Sequence, residues 1–378
     1  MTTIRLLADD LTGALDTAAE LTRLADPIPV FWTGAIPPAL PATCALDSGT
    51  READGETATR RVGELAGLLS GAALPYKKVD SLLRGHALAE LASCWNTGAW
   101  DRCVLAPAFP FQGRITTGGV QRVHEPDGSL RAVADLVRVL ADQGIAACRH
   151  LPGEPLGLGI TVCDAESEGD LAQAAALGRA ASGRVLWCGS AGLAQALAGG
   201  SKRADKPPDL SGRVLGLFGS DQEITSGQLR ACGEQWLRLS GPETAPDVIA
   251  ERLELDGVVL ASVALTDGLG RAEAASRIAA TFAHVVRNVD RPDALLVAGG
   301  ETLRGICEAL GATALEVRGQ FEPGIPHSVM RGGRWDGVAV VSKSGAFGGP
   351  SLWRDLLATR GRQDVVSTKQ DGRLAEMV

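Results

Sequence analysis

Short apolar runs recur along this chain, with longer amphipathic stretches between them. Ile4–Ala8, Pro29–Trp32, Pro75–Val79, Arg102–Ala106 and Arg184–Cys188 read as strands. Gly55–Leu69, Gly85–Ser93 and Asp170–Ala181 are rich in Ala and Leu and read as helices. Leu11, Leu15, Ala18 and Ala25 are spaced as one helical stripe behind the first strand. Strands alternating with helices imply βαβ units and a mainly parallel sheet covered by helices.

The alternation breaks over residues 198–212, where Gly, Ser, Pro and charge concentrate. It restarts at Arg213–Gly219, and Asp256–Val263, Ala294–Ala298 and Gly337–Val341 read as later strands. The fold class expected is therefore α/β with two domains, each a mainly parallel sheet flanked by helices. The boundaries fall at 1–200 and 213–378, with a linker at 201–212. A chain of 378 residues is longer than one hydrophobic core usually serves.

Composition narrows the function. The net charge of -8 offers no positive field to nucleic acid or to an anionic membrane. The eight Cys form no CxxC pair and mostly sit in apolar runs, which argues for buried thiols in a reducing compartment. No signal-peptide pattern and no long apolar span is present, so the expected location is cytoplasmic. Neither GxxxxGK[ST], GxGxxG after a strand, HExxH nor GxSxG occurs.

In an open parallel sheet, ligands bind beyond the carboxyl ends of the strands, and several polar clusters follow predicted strands. Asp9 and Asp10 end the first strand, followed by Thr12 as a candidate helix cap and Gly13 as a point of close approach. One Asp would suffice for capping, so at least one of the two is read as functional. Asp47–Arg51 follows the short run Cys44–Leu46. The stretch 76–86 bunches Lys77, Lys78, Asp80, Ser81, Arg84 and His86 at one junction, where cations oppose a helix dipole unless an anion binds. Lys77 and Lys78 must face opposite sides of their strand, so only one of them is expected to reach the site. A rigid Pro- and Gly-rich loop at 107–113 leads to Arg114, another candidate anion contact. In the second half, small residues at Ser220, Gly299–Thr302 and Gly345 leave room for a phosphate-bearing ligand.

Together these pieces resemble the four-carbon acid sugar kinase family. The resemblance rests on ADDLTGALD at 8–16, DSGTR at 47–51, YKKVDSLLRG at 76–85, PAFPFQGR at 107–114 and GSAGLA at 189–194. It continues with GSDQEITSGQ at 219–228, AGGET at 298–302, PGIP at 323–326 and KSGAFG at 343–348. It implies an ATP-dependent kinase, using Mg²⁺, that phosphorylates the terminal hydroxyl of D-threonate, D-erythronate or a 3-oxo-tetronate. It further implies that residues 1–200 hold the acid sugar and 213–378 the nucleotide, with the active-site cleft between the two domains. By motif, Asp9 or Asp10, Arg51 and the Lys78–Ser81 stretch are the substrate contacts; Lys77, Arg84 and Arg114 join Asp9, Arg51, Lys78 and Ser81 as substrate-binding candidates, with Arg51, Arg84 and one of Lys77 and Lys78 expected to clamp the substrate carboxylate. Ser220, Thr225, Gly299, Gly300, Glu301, Thr302, Lys343 and Gly345 are the nucleotide-binding candidates. Asp10 is the first choice for general base or hydroxyl orienter and Asp80 the second; no metal ligand is assigned. Two departures stand out: Leu82 where the family commonly has Thr, and the acidic stretch Asp221–Glu223 after Ser220.

The partners expected are the sugar acid and ATP, without nucleic acid or membrane, and a homodimer is left open. Two rivals are a non-catalytic sugar-acid binder, which leaves the Asp pair and the second glycine-rich site unexplained, and an NAD-linked dehydrogenase, which lacks its GxGxxG.

Overall fold

The computed structural model describes residues 2–199, 209–265 and 268–360. They form two compact units, 2–199 with 317–319 and 209–316 with 320–360. Most of the expected linker, residues 201–208, lies outside the described residues.

The first unit carries strands β1 (Ile4–Ala8), β2 (Ile28–Trp32), β3 (Cys44–Asp47), β4 (Leu74–Lys78) and β5 (Arg102–Ala106). After them come β6 (Arg114–Thr117), β7 (Val120–His124), β8 (Leu130–Asp135), β9 (Ala147–Arg149), β10 (Gly159–Val162) and β11 (Val185–Gly189). Helices α1 (Leu11–Leu21), α2 (Gly55–Ala66), α3 (Ala87–Trp95), α4 (Leu136–Asp142), α5 (Glu168–Ala180) and α6 (Ala191–Leu197) connect them. The main sheet runs β2-β3-β1-β4-β11-β5-β10-β9, and every pair in it is parallel. All five residues of β4 are buried, as in a sheet covered on both faces.

The second unit carries β12 (Val214–Phe218), α7 (Glu223–Arg230), β13 (Trp236–Leu239), α8 (Ala245–Asp256), β14 (Val258–Val263) and α9 (Arg271–Asn288). It continues with β15 (Ala294–Ala298), α10 (Gly300–Leu310), β16 (Ala314–Gln320, of which 317–319 count with the first unit), β17 (Pro326–Arg331), β18 (Ala339–Lys343) and α11 (Leu352–Leu357). Its parallel order is β13-β14-β12-β15-β18, with β17 antiparallel to β18. The carboxyl ends of β12, β15 and β18 therefore lie side by side.

Four details differ from the sequence reading. Gly257, at φ 67, caps α8 in the left-handed region, so Asp256 closes a helix and β14 starts at Val258. A positive-φ Gly337 likewise delays β18 to Ala339. Ala25 is buried but lies beyond the end of α1, so the helical stripe stops at Ala18. Residues 114–135 form a three-stranded antiparallel sheet, β6-β7-β8, absent from the expected pattern. Its β8 is largely exposed and carries no apolar alternation strong enough to announce a strand. Among the described residues no helix is long and apolar enough to cross a membrane.

Candidate active site

The first cluster lies where β1, β3 and β4 end inside the first unit. Asp10, not Thr12, caps α1: its Oδ1 accepts from the Gly13 amide at 3.1 Å, while the Thr12 hydroxyl donates to Oδ2 at 2.7 Å. Asp9 is buried, and the Arg51 guanidinium donates to both of its oxygens. The same guanidinium reaches Asp10 at 2.9 Å and Asp80 at 3.5 Å. Arg51 is thus the hub of three carboxylates, and this occupies the fork that a substrate carboxylate would need. Burial alone would raise the Asp9 carboxyl; Arg51, aided by Lys77 and Lys78, more than offsets it and holds the group below its usual range.

Asp80 is held more tightly still. Its carboxylate accepts from the Leu82 amide at 2.9 Å and from Arg84 Nη2 at 2.6 Å. Burial works against ionisation there, but Arg84, Arg51 and Lys78 together lower its pKa well below the ordinary value. A carboxylate so stabilised is a poor proton acceptor. The turn it organises holds Leu83 at φ 55, the one described non-glycine residue with positive φ. Such local strain accumulates where a site imposes it.

Strand alternation parts the two lysines. Lys77 is fully buried, and its Nζ lies 2.8 Å from Glu90 Oε2 on α3. Burial pulls its pKa down, and Glu90 and Asp9 push it above the usual lysine range. Lys77 is therefore a core cation, and the substrate contact expected of it does not fit this position. Lys78 faces the other way. It is only 5% exposed, yet its ammonium has no hydrogen bond or ion pair among the described residues. It sits over the first turn of α1, so that a β-carbon on Gly13 would lie 3.1 Å from Nζ. Among the described residues Arg114 also has no carboxylate partner: Nη1 donates to Ser81 Oγ at 3.0 Å, and Nε is buried without an acceptor. Gln121 on β7 fixes the same loop by donating to the Ser81 carbonyl at 2.7 Å.

Asp16, one turn beyond Gly13, belongs to this cluster and was missed as a site residue. It is partly exposed, and its carboxylate accepts a hydrogen bond from the Thr17 hydroxyl at 2.9 Å. Lys78, Asp10, Arg114 and Tyr76 all feel its charge. Burial raises its pKa to about 6, with Asp10 adding to the rise and Lys78 opposing it. The spacing Asp10, Gly13, Asp16 was the available signal, because residues three apart on a helix are neighbours.

The second cluster lies at the carboxyl ends of β12, β15 and β18. Gly299, at φ 108, lets the chain turn into α10, and Gly219 and Gly345 allow close approach. A β-carbon on Gly219 would fall 2.1 Å from Thr302 Oγ1, and one on Gly345 would fall 2.1 Å from Ser220 Oγ. Ser220, Gly299, Gly300, Thr302 and Gly345 are thereby gathered, with Glu301 exposed beside them. A cavity of about 620 Å³ adjoins them, lined by Ser220, Trp236, Arg238 and Ile278, among others. That volume lies in the range of small-ligand sites. Thr225 and Lys343 are buried and turned inward: Lys343 Nζ lies 3.0 Å from Thr225 Oγ1 and 2.9 Å from the Gly345 carbonyl. Direct nucleotide contact, expected of both, does not fit these positions. Burial lowers the Lys343 pKa to about 7. Among the described residues no group of three or more His, Cys, Asp and Glu side chains could hold a metal ion.

Two family models match the chain. The sugar-binding N-terminal domain matches residues 4–147, and the nucleotide-binding C-terminal domain matches residues 215–352. A D-threonate kinase of Cupriavidus necator is 31% identical over 92% of this chain and 96% of its own length. A D-erythronate kinase of Heliobacterium modesticaldum is 27% identical, over 92% and 94% of the two chains. A crystal structure of a Salmonella typhimurium LT2 protein superposes with a TM-score of 0.72 at 23% identity, covering 92% of this chain and 97% of that one.

Proposed function

The chain belongs to the four-carbon acid sugar kinase family, and on that premise we propose that it transfers the γ-phosphoryl group of ATP to the terminal hydroxyl of a four-carbon sugar acid. The observation that carries the reading is Lys78, a residue only 5% exposed whose ammonium has no hydrogen bond or ion pair among the described residues, set among carboxylates that arginines already hold. An unpaired buried cation is costly unless an anion joins it. Lys78 and Arg114, the cluster's two cations without carboxylate partners, receive the substrate carboxylate. This shifts the clamp away from Arg51 and Arg84, which neutralise Asp9, Asp10 and Asp80.

Asp10 keeps acceptor capacity on Oδ2, which takes only the Thr12 hydroxyl, and it orients a substrate hydroxyl. Asp16, the acid of the cluster with no arginine bonded to it among the described residues, takes the proton of the terminal hydroxyl. That oxygen bonds to the γ-phosphorus as the bond to ADP breaks. Phosphoryl transfer asks mainly for positioning and charge neutralisation, which the paired cations and acids supply. Mg²⁺, which prefers one or two carboxylates plus phosphate oxygens, would accompany ATP and neutralise the phosphates.

The test is ADP release, coupled to a readout, over a panel of four-carbon acids with Mg·ATP. D-threonate comes first because the 31%-identical relative is named for it. Acid-dependent ADP release with a phosphorylated product supports the reading. Nucleotide binding with no turnover on any acid would favour the binder instead.

A further inference from the structure

The loop after β18 has an unusual distribution of bonded groups. Its carbonyls are nearly all tied inward. Lys343 Nζ reaches the Ser344 carbonyl at 3.2 Å and the Gly345 carbonyl at 2.9 Å, and the Thr225 hydroxyl donates to Gly345 as well. Gln228 Nε2 lies 3.1 Å from the Phe347 and Gly348 carbonyls and 2.9 Å from that of Gly349. Thr225 and Gln228 are both buried on α7, so the loop is bound along one side of that helix.

A trans peptide unit is planar, with its C=O and the next N–H pointing in opposite directions. Carbonyls 344, 345, 347 and 348 point at Lys343, Thr225 and Gln228. The amides of Gly345, Ala346, Gly348 and Gly349 therefore point away. None of these four amides donates a hydrogen bond among the described residues. Gly345 presses against Ser220 Oγ, so this side of the loop is continuous with the second cluster. A row of outward backbone amides makes a concavity for anions.

We propose that Lys343 and Gln228 are positioning residues: they fasten the loop's carbonyls to α7 and so present its amides to the phosphates of the nucleotide. Lys343 thus serves the nucleotide without touching it. Gln228, uncharged and fully buried, serves it equally. The proposal rests on the nucleotide site of the kinase reading, but binding alone tests it, so it can fail while turnover survives, and the reverse.

The experiment is calorimetric titration of adenosine, ADP and ATP, with Mg²⁺ for the nucleotides, into the full chain and into Lys343→Met, Gln228→Leu and Thr225→Val. Circular dichroism and melting select the variants that fold, and Thr225→Val, close in shape to the parent, guards against loss of the other two. Expected is a weakening of about ten-fold or more for ADP and ATP in each folded variant, the scale of lost hydrogen bonds to a charged group, with adenosine unchanged. Lys343→Arg should recover part of the affinity. If Lys343→Met weakens ATP while Gln228→Leu and Thr225→Val do not, Lys343 acts by its charge and the proposal falls. Equal weakening of adenosine and ATP would overturn it as well.

Discussion

At the scale of single residues, adjacent side chains in this protein have opposite duties. Lys77 and Lys78 are neighbours, yet one is spent on Glu90 in the core and the other is left without a partner. Lys77→Met should destabilise by about 3–5 kcal/mol, because it leaves a buried carboxylate uncompensated. Lys78→Met should leave the melting temperature within a few degrees or raise it, while raising the KM for the sugar acid. A large rise in KM from Lys77→Met with unchanged stability would reverse the assignment. The acids divide similarly. Arginines depress the carboxyls of Asp9 and Asp80, whereas burial raises that of Asp16 to about 6. A general base works only when deprotonated, so kcat should rise as pH climbs through about 6 and level off above it. Asp16→Asn should cost about 100-fold or more in kcat and abolish that acidic limb. Survival of the limb in a weakened Asp16→Asn enzyme would remove Asp16 from the role. The Asp pair and the lysine alternation were legible in the sequence. Asp16 was not, because an acid inside an amphipathic helix reads as an ordinary solvated position until its neighbours are known.

At the scale of elements, the sites are built where strands hand over to helices, and glycine sets the clearance there. Gly13 lies in α1, where a β-carbon would fall 2.4 Å from Asp10 Oδ1 and 3.1 Å from Lys78 Nζ. In an open helix, Gly→Ala adds about 1 kcal/mol of stability. Here Gly13→Ala should instead displace the Asp10 cap and the Lys78 ammonium, lowering kcat/KM for the acid without the usual gain in melting temperature. A variant that is both more stable and fully active would show that the clearance above Gly13 is unused. The strand-to-helix alternation and its glycine-rich ends were readable because buried parallel strands leave continuous apolar runs. The β6-β7-β8 sheet was not readable. Its strands are short and partly exposed, and they cohere through pairing and through Arg114 and Gln121 holding Ser81, contacts that no local pattern encodes.

At the scale of the whole molecule, two chemically distinct clusters each lie within one unit: a mixed acid and cation cluster in the first, and a glycine-lined, amide-rich cluster in the second. Such a division predicts that binding defects separate cleanly even though turnover needs both ligands. Gly345→Ala would place a methyl group 2.1 Å from Ser220 Oγ and 2.8 Å from Gln222 Cγ, which the loop can accommodate only by moving. It should weaken Mg·ADP and leave the dissociation constant of the sugar acid unchanged. Lys78→Met should do the opposite. Because the two positions share no partner, their effects on kcat/KM measured under subsaturating conditions should add in free energy to within about 0.5 kcal/mol in the double variant. The full cycle, with both dissociation constants and kcat/KM measured for four proteins, checks this directly. Strong non-additivity in the binding constants would mean that occupation of one site reshapes the other, and the sites could then no longer be treated as independent.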